Sequence, residues 1–237
     1  MRAALSVILP TLNAAATLPA CLGTLIEGLE AGMIRELIVT DGGSSDDTLA
    51  MADAAGAVIV QGAPSRGAQL QRGARVAAGE WLLFLHADTV LPAGWAATVR
   101  AQIESDRPAA FGLRYDAEGV MPRLVAGWAN FRSRWLGLPY GDQGLLISRA
   151  AYDAAGGYPD IPLMEDVALV RALRGRITLL PLCVTTSAAR YLREGWLRRG
   201  ARNLTLLLRY LCGADPTSLA ERYRHRDSRP AGPAKDG

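Results

Sequence analysis

The chain has 237 residues, half of them hydrophobic and 21% charged, a globular composition that excludes a disordered or collagen-like protein and fits one sizeable α/β domain. Its net charge of +3 averages two unlike parts: residues 1–189 carry 15 basic and 18 acidic side chains, and residues 190–229 carry ten arginines against four acids. Three widely spaced cysteines, Cys21, Cys183 and Cys212, exclude a disulfide framework and a zinc ribbon, and read as small buried hydrophobes in a reducing compartment.

Leu5–Leu9, stopped by Pro10, is too short for a secretory leader and reads as a first strand. Asn13 is placed to cap a helix running to about Glu30. Glu36–Thr40 is a second strand, closed by the turn-rich Asp41-Gly42-Gly43-Ser44-Ser45-Asp46. A helix over Asp47–Ala55, a strand over Ala57–Val60 and a helix over Ser65–Ala78 follow. Trp81–Leu85 is the unbroken apolar run of a strand covered on both faces. Strands spaced by helices in this way imply βαβ units, a parallel sheet, and a ligand beyond the carboxyl ends of the strands, where Asp41 and Asp88 stand.

After Ala109 the rhythm loosens. The pattern predicts a strand over Ala109–Tyr115, a helix over Met121–Leu136, a short strand over Gly144–Ser148 leading into another helix, and a helix over Glu165–Arg174. Ile177–Val184 is broken by Pro181 and reads as an edge strand. Arg190–Leu211 is expected to form one long basic helix, with a last helix after Asp215 and a disordered tail from Asp227 to Gly237. Nothing approaches the ~18 apolar residues of a membrane span, so a cytoplasmic protein is expected.

The residues able to carry chemistry cluster at the predicted strand ends. Asp41 can accept hydrogen bonds from a base N–H or ribose hydroxyls, with glycines letting backbone approach the ligand; a solvated turn with Asp46 capping the next helix is the plainer reading. Asp88 can be an oxygen ligand for Mg²⁺ or Mn²⁺, or merely a helix N-cap ahead of Pro92.

Three motifs in order, Pro10-Thr11-Leu12-Asn13, Asp41-Gly42-Gly43-Ser44-Ser45-Asp46-Asp47-Thr48 and His86-Ala87-Asp88, make residues 5–175 resemble the family 2 glycosyltransferases of the GT-A fold. The resemblance implies a mainly parallel α/β sheet flanked by helices, a nucleotide-diphosphate-sugar donor (a UDP-sugar favoured), a divalent metal and inversion at the anomeric carbon. It places Pro10, Thr11, Asn13, Asp41, Gly43, Arg66, Arg72, His86 and Asp88 around the donor, with Asp88 the metal ligand. His86 stands where the family's first metal-motif Asp is usual, so it either contacts the nucleotide or caps the strand. Arg66 is favoured over Arg72 for the diphosphate because it opens its helix, where dipole and side-chain charge act together.

An inverting transfer needs a base on the acceptor oxygen. Glu165-Asp166 matches the family's Glu-Asp pair; Asp166 is assigned as base and Glu165 as its orienting partner, with exchanged roles open. Asp142 and Gln143 fall where the fold lines the acceptor pocket, for a hydroxyl or carboxylate acceptor on a small molecule or lipid. The fuller pattern is similar to a bacterial subgroup often labelled arsenosugar-biosynthesis glycosyltransferases.

The chain thus divides into a catalytic unit, 1–189 (donor half 1–115, acceptor half 116–189), a basic arm, 190–226, and the tail, 227–237. Three readings of the arm stay open. It can lie on an anionic membrane face through 190–211, close over the donor with Arg190 at the leaving diphosphate, or pack its leucines inward with solvated arginines. A nicotinamide oxidoreductase is opposed by the lack of a Gly-x-Gly-x-x-Gly turn after the first strand. A non-catalytic nucleotide-sugar binding module is opposed by Glu165-Asp166, and no nucleic-acid partner is expected.

Overall fold

The computed structural model describes residues 3–173 and 177–227, the side chains of 222–227 excepted. Arg174, expected to end a helix, and the tail beyond Asp227 lie outside the described residues. Four strands, β1 (Leu5–Thr11), β2 (Ile34–Asp41), β3 (Val58–Gln61) and β4 (Trp81–Phe84), form a parallel half-sheet in the order β3-β2-β1-β4. Their connections are α1 (Leu18–Glu30), α2 (Thr48–Ala54) and α3 (Arg66–Val76). Along β1, Leu5, Val7 and Leu9 enter one core cluster and Ile8 the opposite one, the two-residue alternation of a sheet buried on both faces.

The second half extends the same sheet beyond β4. Strand β7 (Leu145–Ser148) pairs antiparallel with β4 and with β6 (Ala109–Tyr115), and β8 (Thr178–Thr186) runs parallel to β6. Two-residue β5 (Thr89–Val90) closes the row on Thr185 and Thr186. The edge-strand expectation for β8 is therefore met only in its first part, where β6 is the sole neighbour. Pro181 sits there, opposite the register shift between Ala110 and Gly112 that absorbs its missing N–H.

Three expectations are corrected. Asn13 caps no helix: α1 starts only at Leu18, and Asn13 turns left-handed, at φ 50°, to bond the β2 loop. The segment after Pro92, given a helix only by the alternative reading of Asp88 as an N-cap, holds α4 (Trp95–Glu104), capped not by Asp88 but from α1: the Gly94 and Ala96 N–H groups donate to Glu27. Its Trp95 is fully buried and donates to the Thr24 carbonyl at 2.8 Å. The basic arm is two helices, α8 (Ala189–Glu194) and α9 (Trp196–Leu211), parted by Gly195 at φ 85°, a conformation that favours glycine. Of the cysteines only Cys21 is buried; Cys212 is exposed.

The remaining helices are α5 (Val120–Leu136), α6 (Arg149–Ala154), α7 (Glu165–Ala172) and α10 (Pro216–Asp227). The arm joins the domain through rings. Tyr191 stacks on Trp196 at 4.7 Å between centroids, and both meet the edge of Tyr115 on β6. Leu206 and Leu207 of α9 pack with Met164 and Val167, beside the Glu165-Asp166 pair.

Candidate active site

The carboxyl ends of β1 and β2 carry two loops locked together. Thr11 Oγ1 and Ser44 Oγ donate to Asp41 Oδ1, while the Gly43 and Ser44 N–H groups donate to Oδ2 at 2.8 and 2.7 Å. Across the gap, Asn13 N–H donates to Ser44 Oγ, and its Oδ1 accepts from Ser45 N–H at 2.9 Å. Asp46 accepts from Ala15 and Thr48, so the acid after the turn ties the loops as well as starting α2. Gln69 of α3, also buried, donates to the carbonyls of Thr11 and Thr40 and closes the base of the cleft.

Asp41 is fully buried and its acceptor positions are filled by its own loop. Burial pushes its pKa up, but bonds from Ser44, Gly43 and Thr11 outweigh this and hold the carboxyl below its usual value. The carboxylate shapes the loop, which leaves Gly43, at φ 96°, on its exposed side.

A second group gathers beyond β4. His86 and Asp88 follow the strand, and the half-buried Asp142 sits on a 3-10 turn, Gly141–Gln143, ahead of β7. Asp166, in the first turn of α7, accepts from Gly141 N–H at 2.8 Å and Val167 N–H at 2.7 Å. A Cβ on Gly141 would stand 2.8 Å from His86 Nε2 and 3.7 Å from Asp166 Oδ2, so glycine lets the turn pass between them. The electrostatics bind the set. Burial lowers the His86 pKa to about 4, Arg66 and Arg190 lower it too, and Asp88 and Asp166 oppose them.

Asp142 is raised to about 6, first by burial and then by Asp166 and Asp88, against Arg132 and Arg66. Its Oδ1 is buried without a hydrogen-bond partner. Glu165, 3% exposed, is raised to about 7 by burial and by its neighbour Asp166, with Arg66 opposing. Asp88 is half-buried beside this set. Arg66 and Arg190 are both exposed at the rim, so two cations face an acidic floor.

Two expected site residues are placed elsewhere. Gln143 is fully buried, accepting from Ser133 Oγ and donating to the Phe111 carbonyl, so it braces the turn from below and lines no pocket. Arg72 packs over Gly62 and donates to the Ala63 carbonyl at 3.0 Å, holding the loop after β3. Conversely, Arg132 had no signal as a site residue. It is 3% exposed, donates to the Leu138 carbonyl, and lies 3.3 Å over the Tyr140 ring as the buried cation nearest Asp142 in effect. The arm spends much of its charge internally, since Arg199 and Arg202 both pair with Glu194.

Comparison with known proteins agrees with this geometry. The family described as Glycosyl transferase family 2 matches residues 6–147, more than half of the chain. A PGL/p-HBAD biosynthesis glycosyltransferase of Mycobacterium tuberculosis is 40% identical over 93 residues, 36% of either chain. Glucosyl-3-phosphoglycerate synthase of the same species is 35% identical over 97 residues, 37% of this chain and 30% of that protein. The matched region thus spans about a third of these relatives' length.

Among solved structures, Staphylococcus aureus TarS 1-349 in complex with UDP superimposes with a TM-score of 0.60 at 17% identity. It covers 79% of this chain and 60% of that one. The M. tuberculosis glucosyl-3-phosphoglycerate synthase with Mg²⁺ and UDP gives 0.57 at 22% identity, over 89% and 80%. These likenesses establish the fold: the mixed, mainly parallel sheet is the GT-A architecture that the sequence motifs imply.

Proposed function

Because the chain belongs to glycosyl transferase family 2, we propose that it is an enzyme moving a sugar from a nucleotide-diphosphate donor, a UDP-sugar, to an acceptor oxygen with inversion. One observation carries the reading: Asp88, Asp142, Glu165 and Asp166 converge with His86, Arg66 and Arg190 beyond the carboxyl ends of β1 and β4. Ligands bind open α/β sheets in that crevice. A non-catalytic binding module would gain nothing from placing a buried Glu165, its pKa raised by burial, beside Asp166.

The donor half supplies position. The Asp41-anchored loop presents backbone and small residues to the nucleoside, and Arg66 at the start of α3 meets the diphosphate with side chain and helix terminus together. Mg²⁺ or Mn²⁺ fits the residues present. Asp88 offers a half-buried carboxylate, and Asp142 Oδ1 is a buried oxygen without a hydrogen-bond partner among the described residues. These are hard donors suited to such ions. Among the described residues no three His, Cys, Asp or Glu side chains form a metal cage, so donor phosphates would complete the shell around Asp88. The ion's contribution when bound is to neutralise charge on the leaving diphosphate. Arg190, at the start of the arm, adds to that neutralisation from the other side.

The acceptor half supplies the proton transfer. Asp166 is the accessible member of the acidic pair and is aimed by the Gly141 N–H; it takes the proton from the acceptor hydroxyl. Glu165 lies behind it, buried, with a pKa near neutrality, and orients rather than attacks. Asp142 borders the acceptor and Tyr140 walls it. UDP, UDP-GlcNAc and phosphoglyceric acid occur in the solved relatives, which supports a UDP-sugar donor and a small hydroxylated or carboxylated acceptor here. Free cysteines, one exposed, suit a cytoplasmic site of action, with residues 190–211 touching the inner membrane face.

A thermal-shift panel tests the donor. UDP-glucose or UDP-N-acetylglucosamine with Mn²⁺ is expected to raise Tm, by mass action equivalent to about 2.7 kcal/mol at a hundredfold excess over Kd. No shift with any nucleotide-sugar, with or without metal, would overturn the reading.

A further inference from the structure

Helix α5 has an apolar face that stands exposed among the described residues. Val120, Leu124, Trp128, Phe131 and Trp135 recur at helical spacing of three and four residues, and are 44–70% exposed. Opposite them Pro122, Ala126, Ala129 and Ser133 are buried, so the outer stripe is not a misplaced core. Trp128 and Phe131 stack, at 5.9 Å between centroids, into one continuous apolar ridge. The neighbouring α9 packs on α5 and repeats the arrangement: Leu197, Leu204, Leu208 and Leu211 are exposed while Arg199, Leu206 and Leu207 are buried.

Exposed apolar stripes of this extent on adjacent helices mark a contact surface. Their charge selects the partner. Helix α5 contains Arg123, Arg132 and Arg134, and α9 contains Arg198, Arg199, Arg202 and Arg209; neither contains an Asp or Glu. A second copy of the chain docking through the same two-fold patch would set arginine against arginine without a carboxylate from either helix. A lipid surface with anionic headgroups satisfies both halves of the pattern. Tryptophans and leucines enter the acyl boundary, while Arg123, Arg134, Arg198 and Arg209 meet phosphates.

We propose that the exposed α5 stripe Val120-Leu124-Trp128-Phe131-Trp135 is an interfacial membrane-docking face for anionic lipid, acting together with the leucine stripe of α9. The inference rests on the membrane contact proposed for 190–211 and extends it to a helix outside that arm; it does not depend on the transferase reading. Docking would bring the acceptor half to the bilayer, where a lipid-borne acceptor oxygen could reach Asp166.

Co-sedimentation with phosphatidylglycerol/phosphatidylcholine vesicles and with pure phosphatidylcholine vesicles tests it. The full chain is compared with V120Q/L124Q/W135Q in α5 and with L197Q/L208Q in α9, each checked by circular dichroism for an unchanged melting profile. Expected are binding to anionic vesicles, weaker binding at high salt, and at least a fivefold loss of binding in each variant. A second readout is quenching of tryptophan fluorescence by brominated lipid, lost when W128S/W135S is used. Loss in the α9 variant with full binding by the α5 variant would overturn the α5 face and leave the arm contact standing. No binding of anionic vesicles by the full chain would overturn both. A concentration-dependent dimer in light scattering that the α5 substitutions abolish, with no vesicle binding, would assign the face to a second copy instead.

Discussion

Asp41→Asn separates an anchor of the loop from a residue that reads the ligand directly. In the wild type four donors converge on one buried carboxylate: the Thr11 and Ser44 hydroxyls on Oδ1, and the Gly43 and Ser44 N–H groups on Oδ2. An Asn carbonyl can take the Oδ2 place and keep both N–H bonds. Its amide then faces two hydroxyls, which can rotate to accept. All four contacts survive without charge assistance, and relief of a buried charge offsets part of that loss, so a cost of about 1–2 kcal/mol is expected. Asp41→Ala removes all four and leaves the buried Thr11 hydroxyl without its partner, at about 3–4 kcal/mol. The pH dependence provides an independent sign. A carboxyl whose folded pKa is lowered contributes stability above its unfolded value, near 3.8, and loses it as pH falls through the folded one. The Asn variant should therefore show a shallower fall in urea midpoint below about pH 4. If both variants lie within about 0.5 kcal/mol of wild type, the range of ordinary surface changes, the anchoring argument is refuted.

Glu165→Gln should leave stability unchanged near pH 4.5 and raise it above pH 7, because the wild-type carboxyl, with a folded value of about 7 raised from 4.5, resists ionisation in its buried place; denaturation midpoints at the two pH values decide this. His86 is one of only two histidines, so its imidazole resonance can be followed by NMR, and its midpoint is expected near pH 4, far below the ordinary 6.5. A Cβ at Gly67 would overlap the Pro159 carbonyl oxygen and crowd Ile161, so Gly67→Ala should cost about 1–3 kcal/mol in urea unfolding by pushing α3 off the loop ahead of α7. Glu194→Ala removes the carboxylate that bonds both Arg199 and Arg202, of which the Arg199 side chain is 8% exposed, and should destabilise by about 1–3 kcal/mol in the same assay.

The donor half was legible because its strands are covered on both faces and read as apolar runs, with turn chemistry at each carboxyl end. β6 matches its expected bounds, Ala109–Tyr115, and β4 lies within the run Trp81–Leu85. Helix α4 was not legible, because its N-terminal donors are satisfied by Glu27, some 70 residues away in sequence, in place of a local cap. The break in the arm follows from a single left-handed glycine, Gly195, that composition alone marks only as a weak spot.

At the site, sequence position selected Asp88, Asp142, Glu165, Asp166, His86 and Arg66, which the fold brings together. Asp41, Gln143 and Arg72 were chosen by position too, but their hydrogen bonds turn them to bracing. Residue type reports that a group can bond, and only the folded neighbourhood reports with whom. Arg132 shows the converse. An arginine in a helix looks solvated until the 3-10 turn closes over it.

The central claim is that the acidic set beyond β4 turns over a nucleotide-sugar. Its most direct measurement is Mn²⁺-dependent release of UDP from a UDP-sugar, by wild type, Asp88→Ala and Asp166→Asn, with folding verified for each. Turnover by the wild type, and a loss of at least a hundredfold in both variants, about 2.7 kcal/mol or more of transition-state stabilisation, is predicted. Undiminished turnover in both variants would contradict the account.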